Sequence, residues 1–345
     1  MTTPHPDAAF AAATEHARPT RLFLTGAGGY VGRNLIRFFT RQDVELVALV
    51  RTPEAAAKAL AMGAVPVIGD LLIDDLTEAM VGCDALIHAA ADTDHGHGSA
   101  AQMRTNADGT RRTFAAARAA GVTRAVHLST ESVLADGRPL CGVTEETPFP
   151  RRPAGAYSRS KIAAERNALA LNGGGLAVMV VRPRFVWGED DTTALPQLVE
   201  AARSGQLAWI DGGGYRTSTT HIENLCHGID LALRRGRGGE VYFLSDGEPV
   251  AFRTMISALL ETQGVPAPEK TVPRAVVRAV AAVGDLAGTL TGGRKPVPLT
   301  LQGFAASAVE VTLDISRART ELGYAPVVSR QEGLRRMRAS ADQQR

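Results

Sequence analysis

The sequence predicts an α/β protein: a doubly wound parallel sheet with helices on both faces, followed by a smaller C-terminal lobe. From residue 21 to residue 181, short apolar runs alternate with amphipathic segments, a pattern typical of buried strands and covering helices. The first apolar run enters the glycine-rich turn Thr25–Gly32. After Arg182-Pro183 the pattern changes to short helices broken by glycine turns. In such a sheet the ligand crevice lies at the carboxyl ends of the strands.

The individual elements follow from local hydrophobic periodicity. Directly after the glycine turn, Val31, Leu35, Phe38 and Phe39 recur at helical spacing. Apolar runs predict strands at residues 21–24, 45–50, 65–68, 85–91, 125–129, 177–181 and 241–244. Further helices are predicted at residues 53–62, 75–81, 99–120, 153–171, 195–204 and 222–234. We expect the strand at 241–244 to return to the main sheet.

The turn between the first strand and the first helix has the context of a dinucleotide-binding loop. Gly26, Gly29 and Gly32 lie three residues apart. Glycines allow the backbone to turn tightly and approach a pyrophosphate, and the helix that follows presents free N–H groups and a positive dipole end. A plain strand–helix connection is the alternative for this loop taken alone.

This organisation divides the chain into a tail, a nucleotide-binding domain and a lobe. Residues 1–19 are rich in Ala, Pro, His and Thr and lack the basic head and apolar core of a signal peptide, so we expect a disordered tail. Residues 20–182 form the predicted nucleotide-binding domain, with a return strand near residues 221–247. The lobe is assigned to residues 183–220 and 248–335.

The bulk composition excludes several classes of protein. Of the 345 residues, 45% are apolar and 21% are charged, and the net charge is +2. This balance gives no electrostatic reason to expect nucleic acid or an anionic membrane as partner. The three cysteines are widely spaced, which indicates a reducing compartment, and no apolar run is long enough for a transmembrane helix. We expect a cytoplasmic protein with a small-molecule substrate.

Tyr157 and Lys161 form the strongest candidate for acid–base chemistry. They lie four residues apart in a predicted helix and therefore share a face. A free phenol has a pKa of about 10, and an ammonium group one turn away is expected to lower it. Thr130 follows a predicted strand, so its hydroxyl is expected in the crevice beside the tyrosine. A surface Tyr–Lys pair on a solvated helix is the alternative.

Taken together, the motifs resemble those of extended short-chain dehydrogenase/reductases, the group described as NAD-dependent epimerase/dehydratase proteins. The matching pieces occur in family order from residue 25 to residue 324. They are Thr25–Gly32, Gly69-Asp70-Leu71, His88-Ala89-Ala90-Ala91, Asn106–Thr110, Ser129-Thr130, Tyr157–Lys161, Arg182–Gly188, Asp314-Ile315-Ser316 and Leu322-Gly323-Tyr324. The resemblance implies a Rossmann domain that binds NAD(P) and an enzyme that transfers a hydride.

The resemblance also implies the roles of the catalytic residues. Thr130 and Tyr157 would hold the reacting oxygen, with Tyr157 as the acid/base. Lys161 would bind the nicotinamide ribose and depress the pKa of Tyr157. Asn106 is a candidate for a water relay, and bonding to local backbone is its alternative.

The cofactor contacts that the resemblance implies are spread over the carboxyl edge of the sheet. One group cradles the pyrophosphate, a second contacts the adenine, and a third lines the ribose and nicotinamide. They are Gly26, Gly28, Gly29, Tyr30, Val31 and Gly32; Asp70 and Leu71; and Ala89, Ala90, Ala91, Ser129, Tyr157, Lys161, Pro183 and Val186.

Arg51 bears on the choice between NAD and NADP. It follows the second predicted strand, where NAD-preferring Rossmann proteins usually place an acid that binds the ribose 2′-hydroxyl. An arginine at this position can pair with the 2′-phosphate of NADP. The sequence thus favours NADP and leaves NAD open, with an exposed strand-end arginine as the alternative.

The substrate is expected to be hydrophobic or ring-shaped. Nucleotide-sugar members of the family carry an arginine where this chain has Thr217, and the later motifs are more similar to the 3β-hydroxysteroid and sterol-carboxylate dehydrogenase branch. Thr93, Glu131, Arg184 and Trp187 are the substrate candidates. Apolar residues of the lobe would form either a substrate pocket or the lobe core: Phe185, Trp187, Leu195, Leu198, Trp209 and Ile210.

The predicted reaction is the interconversion of a secondary alcohol and a ketone, and two alternatives stay open. Glu131 stands where dehydrating relatives carry an acid, which fits an epimerase or dehydratase with a recycled cofactor. Because the second acid is missing, we expect Glu131 at the rim of the cleft. The other alternative is a non-catalytic dinucleotide-binding protein.

No metal site is expected, and the sequence between Asp92 and His97 is interpreted as a polar loop beside the cleft. Family members often pair through helices, so a homodimer is possible, but nothing in the sequence decides it.

Overall fold

A parallel sheet forms the centre of the molecule. The computed structural model describes residues 15–96, 98–291 and 299–343. The strands are β1 (Arg21–Thr25), β2 (Glu45–Val50), β3 (Val65–Ile68), β4 (Ala85–His88), β5 (Arg124–Leu128), β6 (Leu140–Val143), β7 (Ala177–Pro183), β8 (Val186–Trp187), β9 (Trp209–Ile210), β10 (Arg216–Thr217), β11 (Thr220–His221), β12 (Val241–Leu244), β13 (Val250–Ala251), β14 (Thr271–Val272) and β15 (Val311–Leu313). Seven of them form the sheet in the order β12-β7-β5-β4-β1-β2-β3.

This order confirms the predicted fold class. The strand order reverses at β1, which pairs with β2 on one side and β4 on the other, so a crevice opens at the carboxyl ends of these strands. The expected return strand also joins the sheet, since β12 pairs in parallel with β7.

Helices cover both faces of the sheet. They are α1 (Tyr30–Thr40), α2 (Pro53–Ala61), α3 (Thr77–Met80), α4 (Ala100–Met103), α5 (Gly109–Ala119), α6 (Ala156–Leu169), α7 (Ala194–Arg203), α8 (Ile222–Arg235), α9 (Phe252–Thr262), α10 (Arg274–Thr291), α11 (Leu301–Ser307) and α12 (Arg330–Gln343). A π-helical turn at Arg104–Asp108 joins α4 to α5, within the single helix that the sequence predicts. Across the described ranges, none of these helices has both the length and the apolarity needed to cross a membrane.

The alternation of side chains along β1 shows why the sheet needs two layers of helices. Leu22 and Leu24 point into one hydrophobic core, and Phe23 points into the other. All three side chains are completely buried, and each contributes about 1.5–3 kcal/mol of hydrophobic stabilisation. Helices α1 and α8 contribute to the first core, while α5 contributes to the second.

The lobe has its own small core. Trp187 and Trp209 pack there with Met255 and Leu259 of α9. A four-stranded sheet in the order β13-β10-β15-β6 connects the lobe to the nucleotide-binding domain.

Part of the expected tail lies against the domain. Arg18 donates two hydrogen bonds of 2.9 Å to the carboxylate of Asp230 in α8, and the amide of His16 donates to the carbonyl of Arg234. Residues 15–19 therefore form a strap along α8, because the buried Asp230 needs a cationic partner. Residues 1–14 lie outside the described residues.

Candidate active site

The glycine turn leaves no room for side chains at two of its positions. Gly26 has a φ of +76°, and a Cβ there would lie 2.6 Å from the backbone of Ala89. A Cβ on Gly32 would lie 2.1 Å from the carbonyl oxygen of Gly26. Gly28 is open, with nothing within 4 Å of its Cβ position. The backbone is thus packed tightly between the end of β4 and the start of α1. The first turn of a helix offers free N–H groups, which suit a pyrophosphate.

A cleft of about 410 Å³ extends from this turn to the lobe. It gathers most of the predicted site residues, which come from five separate stretches of the chain. Those that line it are Gly26, Gly29, Tyr30, Val31, Gly32, Ala89, Ala91, Thr93, Ser129, Thr130, Glu131, Tyr157, Lys161, Pro183, Arg184 and Val186. The fold therefore brings the glycine turn and the candidate catalytic residues to one place, which is the arrangement that the sequence predicts.

Several other candidates lie outside the wall of this cleft. Asp70 uses its carboxylate in a local turn, where it accepts a 2.8 Å hydrogen bond from the amide of Leu72. Leu71 packs into the second core, and Arg51 is exposed just after β2. Because β1, β2 and β3 are consecutive parallel strands of the sheet, Arg51, Asp70 and Leu71 lie at the same edge of the sheet as the glycine turn. Their contacts with a cofactor stay predictions.

The prediction that Trp187 contacts the substrate is wrong. Its side chain is 1% exposed, and its indole N–H donates a 2.7 Å hydrogen bond to Asp246. Trp209, Leu195 and Leu198 pack in the same lobe core. The apolar residues of this set therefore stabilise the lobe, because a large ring gains more from complete burial than from an open cleft. Phe185 is the member that lines the cleft.

Tyr157 is buried at the bottom of the cleft, beside Thr130. Its side chain is 7% exposed, and both Tyr157 and Thr130 line the cleft. Tyr157 and Thr130 come from the start of α6 and the end of β5, so the two hydroxyls meet where the helix crosses the carboxyl edge of the sheet. The surface Tyr–Lys pair, which was the alternative, is therefore excluded.

The expected lowering of the Tyr157 pKa is not what this site does. Burial raises the pKa of Tyr157, and the charge of Glu131 raises it further. The ammonium of Lys161 instead donates a 2.8 Å hydrogen bond to the carbonyl of Leu128. Because removing a phenol from water penalises the phenolate, Tyr157 is held as the neutral proton donor.

The buried surroundings of Lys161 disfavour its charged ammonium form. It is 2% exposed, and burial lowers its pKa from 10.5 to about 8, with Glu165 opposing the change. Glu165 lies one turn further along α6, where it pairs with Arg182 and accepts a 2.7 Å hydrogen bond from Ser129. This buried pair joins α6 to β7 next to the cleft.

Replacing Lys161 by Met is expected to raise the free energy of unfolding at pH 7 by about 1–3 kcal/mol while turnover falls, since it removes a buried charge. The folded chain releases this proton at about pH 8, whereas the ordinary value is 10.5. Wild-type stability therefore rises between these two pH values, and the advantage of Met shrinks over the same range. Denaturant titrations at several pH values test this, with Lys58→Met on the exposed face of α2 as the control.

Glu131 lies on the floor of the cleft, so the expectation that it sits at the rim is wrong. It is 5% exposed and forms an ion pair with Arg184, which is 4% exposed. Arg184 in turn donates to Thr217 and to the carbonyl of Ala306, each at 3.0 Å. Arg184 therefore positions the carboxylate from the lobe side.

Asn106 makes the local backbone bonds that were its alternative interpretation. Its amide group donates to the carbonyl of Asp92 and to Ser160, both at 2.9 Å, and it accepts a 2.7 Å bond from the amide of Asp92. These bonds fix the loop beside the cleft to α6, one turn from Tyr157. Asn106 is therefore best described as a positioning residue.

Sequence reasoning missed His95, whose ring makes an edge contact with Tyr157 at 4.6 Å between ring centroids. Burial lowers the pKa of His95, so the ring is a neutral wall of the cleft. The contact depends on the path of the loop after β4, which carries no periodic signal. Among the residues that the structure describes, no group of three or more His, Cys, Asp or Glu side chains could hold a metal ion.

A glycine turn at the reversal point of a parallel sheet, with a buried Tyr–Thr–Lys set opposite, defines a nucleotide-binding oxidoreductase. The model of the NAD dependent epimerase/dehydratase family matches residues 22–244. The chain belongs to this family. It is an enzyme of the dehydrogenase/reductase type, not a non-catalytic dinucleotide-binding protein.

Two relatives and one solved structure illustrate the similarity. A 4-hydroxy-2-methyl-3-oxo-4-farnesyl-3,4-dihydroquinoline-1-oxide ketoreductase of Stigmatella aurantiaca is 46% identical, over 92% of this chain and 96% of its own. A decarboxylating sterol-4-alpha-carboxylate 3-dehydrogenase of Dictyostelium discoideum is 30% identical, over 91% of this chain and 98% of its own. The crystal structure of DesIV, a dTDP-glucose 4,6-dehydratase from Streptomyces venezuelae with NAD and TYD bound, has a TM-score of 0.73 and 25% identity, covering 94% and 97% of the two chains.

Proposed function

We propose that this protein is an NAD(P)-dependent reductase that converts a ketone on a hydrophobic ring compound into a secondary alcohol. The observation that carries the proposal is the buried Tyr157 beside Thr130 in the cleft that begins at the glycine turn, with a raised pKa that keeps the phenol protonated. The names of the relatives support the substrate class, because both describe oxidoreductases that act on ring compounds.

The residues of the cleft fit a nicotinamide dinucleotide. Gly26 and Gly32 leave the space that a Cβ would fill, and the start of α1 offers free N–H groups to a pyrophosphate. Lys161 and Ser129 would face the nicotinamide ribose. When bound in its reduced form, the nicotinamide supplies a hydride.

The chain itself supplies the proton and the orientation. Thr130 holds the ketone oxygen through its hydroxyl, and Tyr157 donates its phenolic proton to the same oxygen as the alcohol forms. Burial and the neighbouring Glu131 keep this proton on Tyr157 at neutral pH. The walls formed by His95 and Phe185 exclude water from the reacting carbon.

The proposal is tested by following reduced NADP or NAD in the presence of a farnesylated ring ketone or a ketosteroid. We expect consumption of one reduced dinucleotide for each alcohol formed. The family also contains dehydratases and epimerases, which return their cofactor to its starting state. Turnover without net consumption of reduced dinucleotide would favour that alternative over ketone reduction.

We also propose that NADP is preferred over NAD, because Arg51 is exposed at the carboxyl end of β2, where the adenine ribose would lie. Replacing Arg51 by Glu is expected to lower the affinity for NADP relative to NAD about tenfold or more, as the 2′-phosphate loses a cation and meets an anion. Titration of both dinucleotides measures the ratio. Arg41→Glu, at the far end of α1, is the control, and an unchanged ratio in Arg51→Glu contradicts the proposal. The cytoplasmic location stays a prediction from the sequence, and the oligomeric state stays open.

A further inference from the structure

The carboxylate of Glu131 has one oxygen that is only partly used by the protein. Oε1 pairs with Arg184 and accepts a second, 3.3 Å bond from Ser132. Among the described residues, the donor to Oε2 is the Thr130 hydroxyl, at 2.9 Å. A carboxylate oxygen accepts two hydrogen bonds and donates none. Because Glu131 lines the cleft, the free acceptor site on Oε2 is available to a ligand.

Binding of a ketone changes this arrangement, because the Thr130 hydroxyl carries a single hydrogen. In the proposed reaction that hydrogen is donated to the ketone oxygen, so Glu131 loses its donor. A buried charged acceptor without a partner is costly. A ketone without a hydrogen-bond donor therefore leaves Glu131 Oε2 without the bond from Thr130. A ligand that carries a donor of its own can replace that bond.

We propose that Glu131 is a specificity-determining residue that accepts a hydrogen bond from a hydroxyl group on the carbon next to the substrate ketone, so that the preferred substrates are α-hydroxy ketones. The inference rests on the proposed function. An α-hydroxy ketone carries an acceptor and a donor on adjacent carbons, one hydrogen-bond length apart. Thr130 Oγ1 and Glu131 Oε2 present a donor and an acceptor 2.9 Å apart, so both ligand groups find partners.

The reaction that follows is balanced without a further reactant. The carbonyl carbon receives a hydride from the reduced dinucleotide, and the carbonyl oxygen receives the proton of Tyr157. The neighbouring hydroxyl keeps its hydrogen, donated to Glu131, and the product is a vicinal diol. Arg184 holds Oε1 from the lobe side, which leaves Oε2 turned toward Thr130 and the reacting group.

The test compares benzoin, an α-hydroxy ketone, with deoxybenzoin, which lacks only the hydroxyl. For the wild-type enzyme we expect kcat/KM to be about tenfold or more higher for benzoin, the usual effect of one hydrogen bond to a charged group. Equal values for the two ketones overturn the inference. If the enzyme reduces no ketone at all, the proposed function itself fails, which is a different result.

The variant Glu131→Gln tests whether a preference for benzoin over deoxybenzoin depends on Glu131. The amide oxygen of Gln would take the place of Oε1 beside Arg184, which puts an N–H donor where Oε2 accepts. The ratio of kcat/KM for benzoin to that for deoxybenzoin is expected to fall about tenfold. Both ketones are measured on one preparation, so a fraction of misfolded enzyme does not change this ratio. Glu145→Gln, outside the cleft, is the matched control. If the variant does not fold because Arg184 has lost its ion pair, the double variant Glu131→Gln/Arg184→Gln removes both charges and is measured in the same way. A preference that survives in these variants contradicts the inference.

Discussion

Replacing Tyr157 by Phe is expected to lower kcat for ketone reduction by about 10²–10⁴-fold, because it removes the proton donor and leaves the ring in place. The ring keeps its edge contact with His95 at 4.6 Å, and Thr130 keeps its bond to Glu131. Stability and dinucleotide affinity should therefore change little. Steady-state kinetics, a thermal melt and a dinucleotide titration measure the three quantities.

The matched control for this variant is Tyr242→Phe. The Tyr242 hydroxyl donates to Glu321 at 3.0 Å, on the sheet edge formed by β12 and outside the cleft. This variant loses a hydroxyl of the same kind, and its kcat should stay near the wild-type value. Turnover of Tyr157→Phe close to that of Tyr242→Phe would eliminate the proposed mechanism.

The second large effect is expected from Gly32→Ala. The added Cβ would lie 2.1 Å from the carbonyl oxygen of Gly26 and 2.8 Å from the Cα of Ala27. Because both contacts are with backbone, the turn itself must move. We expect a loss of about 2–3 kcal/mol in the free energy of unfolding and at least about tenfold weaker dinucleotide binding. Chemical denaturation and a binding titration measure both.

Gly28→Ala is the control for this change, since it adds the same methyl group to the same turn. Nothing lies within 4 Å of its Cβ position, so its stability should stay within about 0.5 kcal/mol of the wild type. Equal destabilisation by the two substitutions would show that close backbone packing at Gly32 is not what the turn requires.

The sequence predicted the sheet and most of its helices because these depend on short-range patterns. The strands β2, β3 and β12 have the predicted bounds, since a few consecutive apolar residues decide where a buried strand runs. Predicted helix ends differ by a few residues, as at Ala156–Leu169, because caps and fraying decide them. The π-helical turn at Arg104–Asp108 has no such pattern and was not predicted.

The candidate site divides in the same way. Tyr157 and Lys161 share a helix, and the glycine turn follows a strand, so their relation is fixed by local geometry and could be predicted. Glu131 and Arg184 are 53 residues apart, and the sequence placed one at the rim and left the other unpartnered. The contact of His95 with Tyr157 likewise joins a loop to a helix that the sequence does not connect.

The sequence by itself determined the fold class, the family and the set of groups that meet at the carboxyl edge of the sheet, because each depends on spacing within one element or on motif order. Only the tertiary structure decided that Trp187 belongs to the lobe core, that Glu131 is buried beside Arg184, and that the pKa of Tyr157 is raised. These properties depend on how much water each side chain loses and on which distant charge it meets. Both are set by packing between elements far apart in the chain.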